Sequence, residues 1–149
     1  MSLLNSKFDI LRGYPNGSAL TWPFQIKKTG GAYVSIPAGT IVTTELSGTT
    51  TVVDKATTPN ISIADPKTMW LVVEGNDDFS GTYVQKCAAC KLGSGIIWET
   101  DSYAAGSYTP GTPVSVSAGQ IKVKAVNEQI IGYVLEDRSA TKCTVVIEA

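Results

Sequence analysis

Apolar and polar residues alternate over short stretches of the chain, which is the pattern of half-buried β-strands. In residues 20–27, LTWPFQIK, every second residue is large and apolar. Residues 69–74, MWLVVE, are almost continuously apolar and predict a central strand. Turns rich in glycine and proline separate such runs at intervals of roughly ten residues. This spacing predicts an all-β fold, a small β-barrel or sandwich of short antiparallel strands with an N-terminal arm and little helix.

Local composition predicts several smaller elements. Residues 43–58 hold seven threonines, and because threonine is β-branched they predict a β-hairpin. Residues 61–63, ISI, predict a brief strand. Low complexity is the alternative for residues 43–58, and short helices within residues 57–69 or 124–129 are left open. No longer segment repeats apolar residues at helical spacing, so we expect no long helix.

The first residues do not follow the strand pattern. The apolar positions of residues 1–17, MSLLNSKFDILRGYPNG, fit neither a long helix nor a regular strand, and the final YPNG predicts a turn. We therefore predict an N-terminal arm over residues 1–17 and a single β domain over residues 18–149. Residues 1–12 are expected to pack poorly on the isolated protomer and to become ordered in an assembly. The candidate interface residues are Leu3, Leu4, Phe8, Ile10, Leu11 and Trp22.

Charge and hydropathy narrow the classes of partner. Charged residues make up 17% of the 149 residues, and the net charge is −1. Typical domains carry about 25% charged residues, so a low value suits a protein that covers part of its surface in an assembly. No basic stripe of the kind used by nucleic-acid-binding proteins is visible in the sequence. No apolar run approaches the ~18 residues of a membrane span, and the N-terminus has no signal-peptide pattern. We expect neither a nucleic-acid nor a membrane partner, and synthesis in the cytoplasm.

The candidate catalytic and metal-binding residues are few. A structural zinc site needs four ligands, but the chain has three cysteines and no histidine. Cys87 and Cys90, in the run CAAC, are therefore interpreted as strand residues that pack against their neighbours. The adjacent pair Asp77 and Asp78 is interpreted as part of a solvated loop. We expect no enzymatic activity and no cofactor.

Three tryptophans allow two interpretations. Trp22, Trp70 and Trp98 lie in predicted strands, where such side chains usually serve a core or a subunit interface. Aromatic side chains on an exposed β face also stack on sugars. The second interpretation makes the chain a carbohydrate-binding module.

The segment TPGTPVSVSAGQIKVKAVNEQIIGYVLED, residues 109–137, resembles the signature of capsid decoration (cement) proteins of tailed bacteriophages. The resemblance covers about a fifth of the chain. In some decoration families the similar segment lies near the N-terminus, whereas here it lies near the C-terminus, so strand order is left open. The matching positions are Gly111, Thr112, Pro113, Val114, Gly119, Ala125, Ile131, Gly132, Tyr133 and Val134.

The resemblance implies a structural virion protein. Such a protein binds the outer surface of a phage capsid and stabilises the mature head by bridging subunits of the major capsid protein. It implies self-association, with a homotrimer favoured and a dimer as the alternative, and assembly onto the capsid in the host cytoplasm. The alternative function is a carbohydrate-binding β module of a phage tail or fibre.

Overall fold

The computed structural model describes residues 7–12, 21–76, 83–93 and 95–149. Within these residues the chain forms thirteen strands and one helical turn, α1 (Ser139–Lys142). This nearly all-β architecture confirms the predicted fold class. The strands are β1 (Phe8–Arg12), β2 (Thr21–Ile26), β3 (Lys28–Thr29), β4 (Ala32–Tyr33), β5 (Ile41–Ser47), β6 (Thr50–Lys55), β7 (Met69–Glu74), β8 (Lys86–Lys91), β9 (Ile97–Thr100), β10 (Pro113–Ser117), β11 (Gln120–Val123), β12 (Gly132–Arg138) and β13 (Thr144–Glu148).

The strands form a closed barrel and an open sheet. Five strands close the barrel in the order β2-β6-β5-β7-β8, and the sheet has the order β1-β9-β13-β12-β10-β11. All barrel pairs are antiparallel except β2 with β6. A parallel pair needs a long connection, which the intervening β3, β4 and β5 provide. The predicted hairpin in residues 43–58 is confirmed as the β5–β6 pair.

The main core lies between the barrel and the sheet. Alternate residues of the sheet strands point toward the barrel, as the two-residue period of a strand requires. Trp98 of β9 is fully buried there, together with Ile147 of β13 and Val116 of β10. The barrel contributes Ile41 and Leu71 to the same core.

A second core fills the barrel. It contains Phe24 and Ile26 of β2 and Val72 of β7. The buried Asn76 holds the neighbouring segment, because its Oδ1 accepts a hydrogen bond from Ile36 N at 2.7 Å and its Nδ2 donates to the carbonyl of Val34 at 3.1 Å. A buried amide that satisfies two backbone groups costs little and fixes the segment that carries Ile36 into the core.

The turn between β10 and β11 connects the open sheet to the barrel. Ala118 and Gly119 both have positive φ, 49° and 79°, which is the geometry of a tight two-residue hairpin turn. The carbonyl of Gly119 accepts from Ile41 N, and Gly119 N donates to Ala56 O, both at 2.9 Å. A Cβ at Gly119 would lie 2.8 Å from Thr40 Cγ2, so this close approach to the barrel requires glycine.

The expectation that residues 1–12 pack poorly on the protomer is wrong for residues 7–12. Phe8–Arg12 pairs with β9 as an edge strand of the open sheet, and Phe8 and Ile10 pack against the main core. The alternation was hidden because the register shifts between Ile10 and Arg12, so that Leu11 is the extra residue of a β-bulge. Residues 1–6 and 13–20 lie outside the described residues, and an assembly role for the arm stays a prediction.

Candidate interaction surface

The four predicted interface residues that the structure describes do not form one surface. Leu3 and Leu4 lie outside the described residues. Phe8 and Ile10 are half-buried in the protomer itself, so they serve its core. Leu11 is exposed at the bulge of β1, on the open sheet, whereas Trp22 is exposed at the start of β2, in the barrel. Leu11 and Trp22 are therefore single exposed side chains on separate parts of the fold.

The tryptophans divide between core and surface. Trp98 is fully buried, and Trp70 is half-buried with its ring edge-on to Phe24 at 4.8 Å. Trp22, in contrast, is 61% exposed although it continues the alternation of Phe24 and Ile26. Trp22 lies on the same face of β2 as Phe24 and Ile26, as the alternation predicts. Only Phe24 and Ile26 reach the barrel core.

Two loops distant in sequence are joined by backbone hydrogen bonds. Ile61 N donates to Asn127 O at 2.8 Å, and Gln129 N donates to Pro59 O at 3.1 Å. Between these bonds Asn60 and Glu128 form an antiparallel bridge. Residues 59–67 and 124–131 therefore behave as one bonded pair of loops.

Side chains fix each of the two loops internally. Asn60 Oδ1 accepts hydrogen bonds from Ser62 N at 2.9 Å and from Ser62 Oγ at 2.6 Å, which forms an Asx turn. The brief strand predicted for residues 61–63 is therefore wrong, because this turn replaces extended pairing. In the other loop, Glu128 accepts from Ala125 N at 2.8 Å and from Lys122 Nζ at 2.6 Å. The helices considered for residues 57–69 and 124–129 are also absent, since turns occupy these described segments.

The environment of Glu128 favours its charged form. Desolvation opposes ionisation, but the hydrogen bonds from Lys122 and from the Ala125 amide, with the nearby charges of Lys122 and Lys124, outweigh it. They hold the pKa of Glu128 below its ordinary value. The carboxylate therefore stays charged at neutral pH and keeps the turn of residues 125–128 closed.

The joined loops display apolar side chains to solvent. Val126 is 85% exposed and Ile63 is 82% exposed, and Ile61 and Ile130 are also exposed. We call these four residues the paired-loop surface. Burial of one such side chain is worth roughly 1.5–3 kcal/mol before ordering costs, and loops already held by hydrogen bonds have less freedom to lose. The arrangement suits recognition of another macromolecule.

A shallow groove adjoins this surface. Its volume is about 200 Å³, and Ile130 belongs both to the groove and to the paired-loop surface. Met69, Leu92 and Ile131 supply apolar lining, and Lys67 and Lys91 are its charged lining residues. We call it the lysine groove.

The two cysteines of the CAAC run lie on opposite faces of β8. Cys87 packs in the barrel core and Cys90 in the main core, because residues three apart on a strand point to opposite faces. Burial raises the pKa of the Cys87 thiol to about 11 and also raises the pKa of Cys90, although a backbone hydrogen bond opposes the latter shift. These two thiols pack as small apolar groups.

Other candidate features add little to the surface. Among the described residues, no group of three or more His, Cys, Asp or Glu side chains is arranged to hold a metal ion. None of the described helices has the length and apolar character needed to cross a membrane. The pair Asp77 and Asp78 lies outside the described residues.

No family model, curated protein or solved structure matches the chain. Residues 109–137 form one structural unit, in which β10 pairs with both β11 and β12. Val126 and Ile130 lie inside this unit. Sequence reasoning missed the paired-loop surface because its other half, Ile61 and Ile63, comes from a distant loop.

Proposed function

We propose that the protein is a structural virion protein that binds the outer surface of a tailed-phage capsid. It stabilises the mature head by bridging subunits of the major capsid protein. The observation that carries the proposal is the paired-loop surface, where exposed apolar side chains stand on loops fixed by hydrogen bonds. The resemblance of residues 109–137 to decoration proteins supports the same role, because that segment contributes half of the surface.

A protein in this role needs only modest contacts at each site, because the same contacts are repeated at many sites. A capsid presents the same binding position many times, and a homo-oligomer, with a trimer favoured, engages several positions at once. Linked binding events raise the overall avidity without any new contact at each site. Rigid loops help because little conformational entropy is lost when they bind.

The position of β1 changes which residues are expected to meet the capsid. Phe8 and Ile10 are committed to the core of the protomer, so their loss would act through folding. Ile63 and Val126 carry little of the protomer's packing, so their loss would act through binding. We assign the capsid contact to the paired-loop surface.

The test is co-sedimentation with capsids. Phage particles assembled without this protein are mixed with the purified wild-type chain and with an Ile63→Ser, Val126→Ser double variant. Wild type is expected to pellet with the particles, and the double variant to bind at least about tenfold more weakly, which corresponds to roughly 1.4 kcal/mol. The matched control is Leu46→Ser, since Leu46 is 76% exposed but lies in the β5–β6 hairpin of the barrel.

Failure of the wild-type chain to bind any such particle would contradict the proposed function. Equal loss of binding in Leu46→Ser and the double variant would be compatible with the proposed function but would contradict the paired-loop surface as the capsid contact. Binding that survives in the double variant would also move the contact elsewhere.

A carbohydrate-binding module is the second candidate, and exposed Trp22 is the observation that favours it. Tyr83, a second strongly exposed aromatic residue among the described residues, precedes β8 and lies beyond the opposite end of the β2–β8 pair, because Gln25 pairs with Lys86. At about 3.3 Å per strand residue the two rings belong to separate sites. Binding on a glycan array that is abolished by Trp22→Ala, without capsid binding, would favour this function.

A further inference from the structure

We propose that the lysine groove receives an acidic segment of the partner protein, in which an apolar side chain lies beside a carboxylate. The inference rests on the proposed function and names the chemistry of the partner at the same surface. In the proposed complex the apolar side chain enters the groove, and the carboxylate meets the ammonium group of Lys67.

The lining of the groove suits an apolar anchor. Met69 and Ile131 are buried and Leu92 is half-buried, so their side chains are held by the fold before any partner arrives. Leu92 N donates to Met69 O at 3.0 Å, which fixes two of these residues relative to each other. The volume of about 200 Å³ gives room for one large side chain of a partner. Apolar side chains in such pre-formed recesses are the usual anchors of protein interfaces.

The charged side chains that line the groove, among the described residues, are both lysines. Lys67 and Lys91 line it, and no acidic side chain among the described residues does. No carboxylate of the described residues forms an ion pair with Lys67, whereas Lys122 is paired with Glu128 and Lys27 with Glu45. A lysine side chain in the lining of a recess that is part apolar and part polar favours an anionic group next to the anchor, through a charge-assisted hydrogen bond.

The backbone of Lys67 is held in position. Lys67 N donates to Gln129 Oε1 at 2.8 Å, and Gln129 Nε2 donates to the carbonyl of Lys67 at 2.7 Å. This two-bond clamp fixes the point from which the lysine side chain extends. Gln129 is therefore a positioning residue, and Lys67 is the residue expected to contact the partner.

Continuity with the paired-loop surface places the anchor beside the larger contact. Ile130 is shared by both, and its neighbour Ile131 forms part of the groove. A partner that covers the paired-loop surface thus reaches the groove without a change in either loop. The groove supplies charge selectivity, and the paired-loop surface supplies apolar area.

The test uses two blocked peptides that share a central leucine and carry opposite charges beside it, Gly-Asp-Leu-Asp-Gly and Gly-Lys-Leu-Lys-Gly. Binding to the isotope-labelled full chain is followed by the shifts of the amide resonances of Lys67, Gly93 and Ile131. We expect saturable shifts with the acidic peptide and at least about tenfold weaker binding of the basic one. Lys67→Glu should weaken the acidic peptide by roughly tenfold or more, and Lys67→Arg should retain it.

The matched control is Lys86→Glu, because Lys86 is exposed on β8 outside the groove. Gln129→Leu should weaken the acidic peptide while the amide resonances of the barrel stay unchanged. Equal affinity for the two peptides, or equal loss in Lys67→Glu and Lys86→Glu, would overturn the proposal. So would tighter binding of a single-stranded oligonucleotide at the same residues, since the groove would then select polyanions.

Capsid co-sedimentation separates this inference from the proposed function. Capsid binding that persists unchanged in Lys67→Glu would contradict the proposed role of the lysine groove but not the proposed function. Selective peptide binding by a chain that does not bind capsids would reject the function and leave the chemistry of the groove.

Discussion

β1 and the paired-loop surface are both apolar, yet the fold uses them in opposite ways. β1 adds an edge strand to the open sheet and turns Phe8 and Ile10 toward the main core. The paired loops are also joined by backbone hydrogen bonds, but they turn Ile63 and Val126 toward solvent. Apolar composition therefore does not distinguish a core strand from an interface. A segment contributes to the core when its backbone pairs with a sheet, one face of which packs on that core, as β1 pairs with β9.

Truncation of the Phe8 side chain tests how much β1 contributes to the main core. Phe8→Ala should lower the free energy of unfolding by roughly 2–3 kcal/mol, somewhat less than a fully buried Phe→Ala change, because Phe8 is half-buried. Its ring packs against the turn at Gly39, where a Cβ added to the glycine would lie 3.0 Å from Phe8 Cδ2. Urea unfolding gives the value. Leu11→Ala is the control and should change stability by less than about 1 kcal/mol, since Leu11 is exposed. Equal effects of the two variants would mean that β1 adds no core.

The sequence was most informative where a strand is long and regular. Residues 69–74 were predicted as a central strand, and β7 spans Met69–Glu74 with Leu71 and Val72 in different cores. β1 was missed because the bulge at Leu11 breaks the two-residue period and because its partner, β9, is remote in the chain. Long-range pairing of this kind leaves no local signal.

The candidate surface was harder to predict than the fold. Residues 61–63 alternate like a strand, but the side chain of Asn60 captures the amide of Ser62 and turns the chain. The signal was the asparagine at residue 60, which favours an Asx turn. Nothing local to residues 61–63 reveals that they meet residues 124–131, because that meeting depends on the folded barrel and sheet.

The next effect concerns the bonds that hold the loops together. Gln129→Ala removes both hydrogen bonds to the backbone of Lys67 and should lower the free energy of unfolding by about 1–2 kcal/mol. Amide exchange at Lys67 should accelerate more than exchange in β7, because the loss is local. The exposed Gln120→Ala, in β11, serves as the matched control and should leave both quantities unchanged. Unchanged exchange at Lys67 in Gln129→Ala would show that the loops do not depend on this clamp.

A smaller effect is expected from acidification. The pKa of Glu128 is lower in the folded chain than its ordinary value of 4.5, so its contribution to stability is fully present above that value. This contribution should be lost as the pH falls from about 4.5 through the lower folded-state pKa. The readout is amide exchange at Ala125, corrected for the intrinsic pH dependence. Glu128→Gln should remove the pH dependence of this protection, and an unaltered profile in that variant would contradict the assignment to Glu128.

Removal of the exposed apolar side chains of the paired loops should change stability very little. The Ile63→Ser, Val126→Ser double variant should unfold within about 0.5 kcal/mol of wild type, because both side chains are mostly exposed. Urea unfolding measured beside Phe8→Ala gives the contrast directly. A loss as large as that of Phe8→Ala would show that the two regions do not differ in the way described.

Hydrogen exchange of the free and the capsid-bound chain tests most directly whether the paired-loop surface is the capsid contact. Binding is expected to slow amide exchange in residues 59–67 and 124–131. Exchange in Phe8–Arg12 should change little, because the amides that pair with β9 are already protected in the free protein. New protection confined to Phe8–Arg12, with residues 59–67 and 124–131 unchanged, would contradict this assignment.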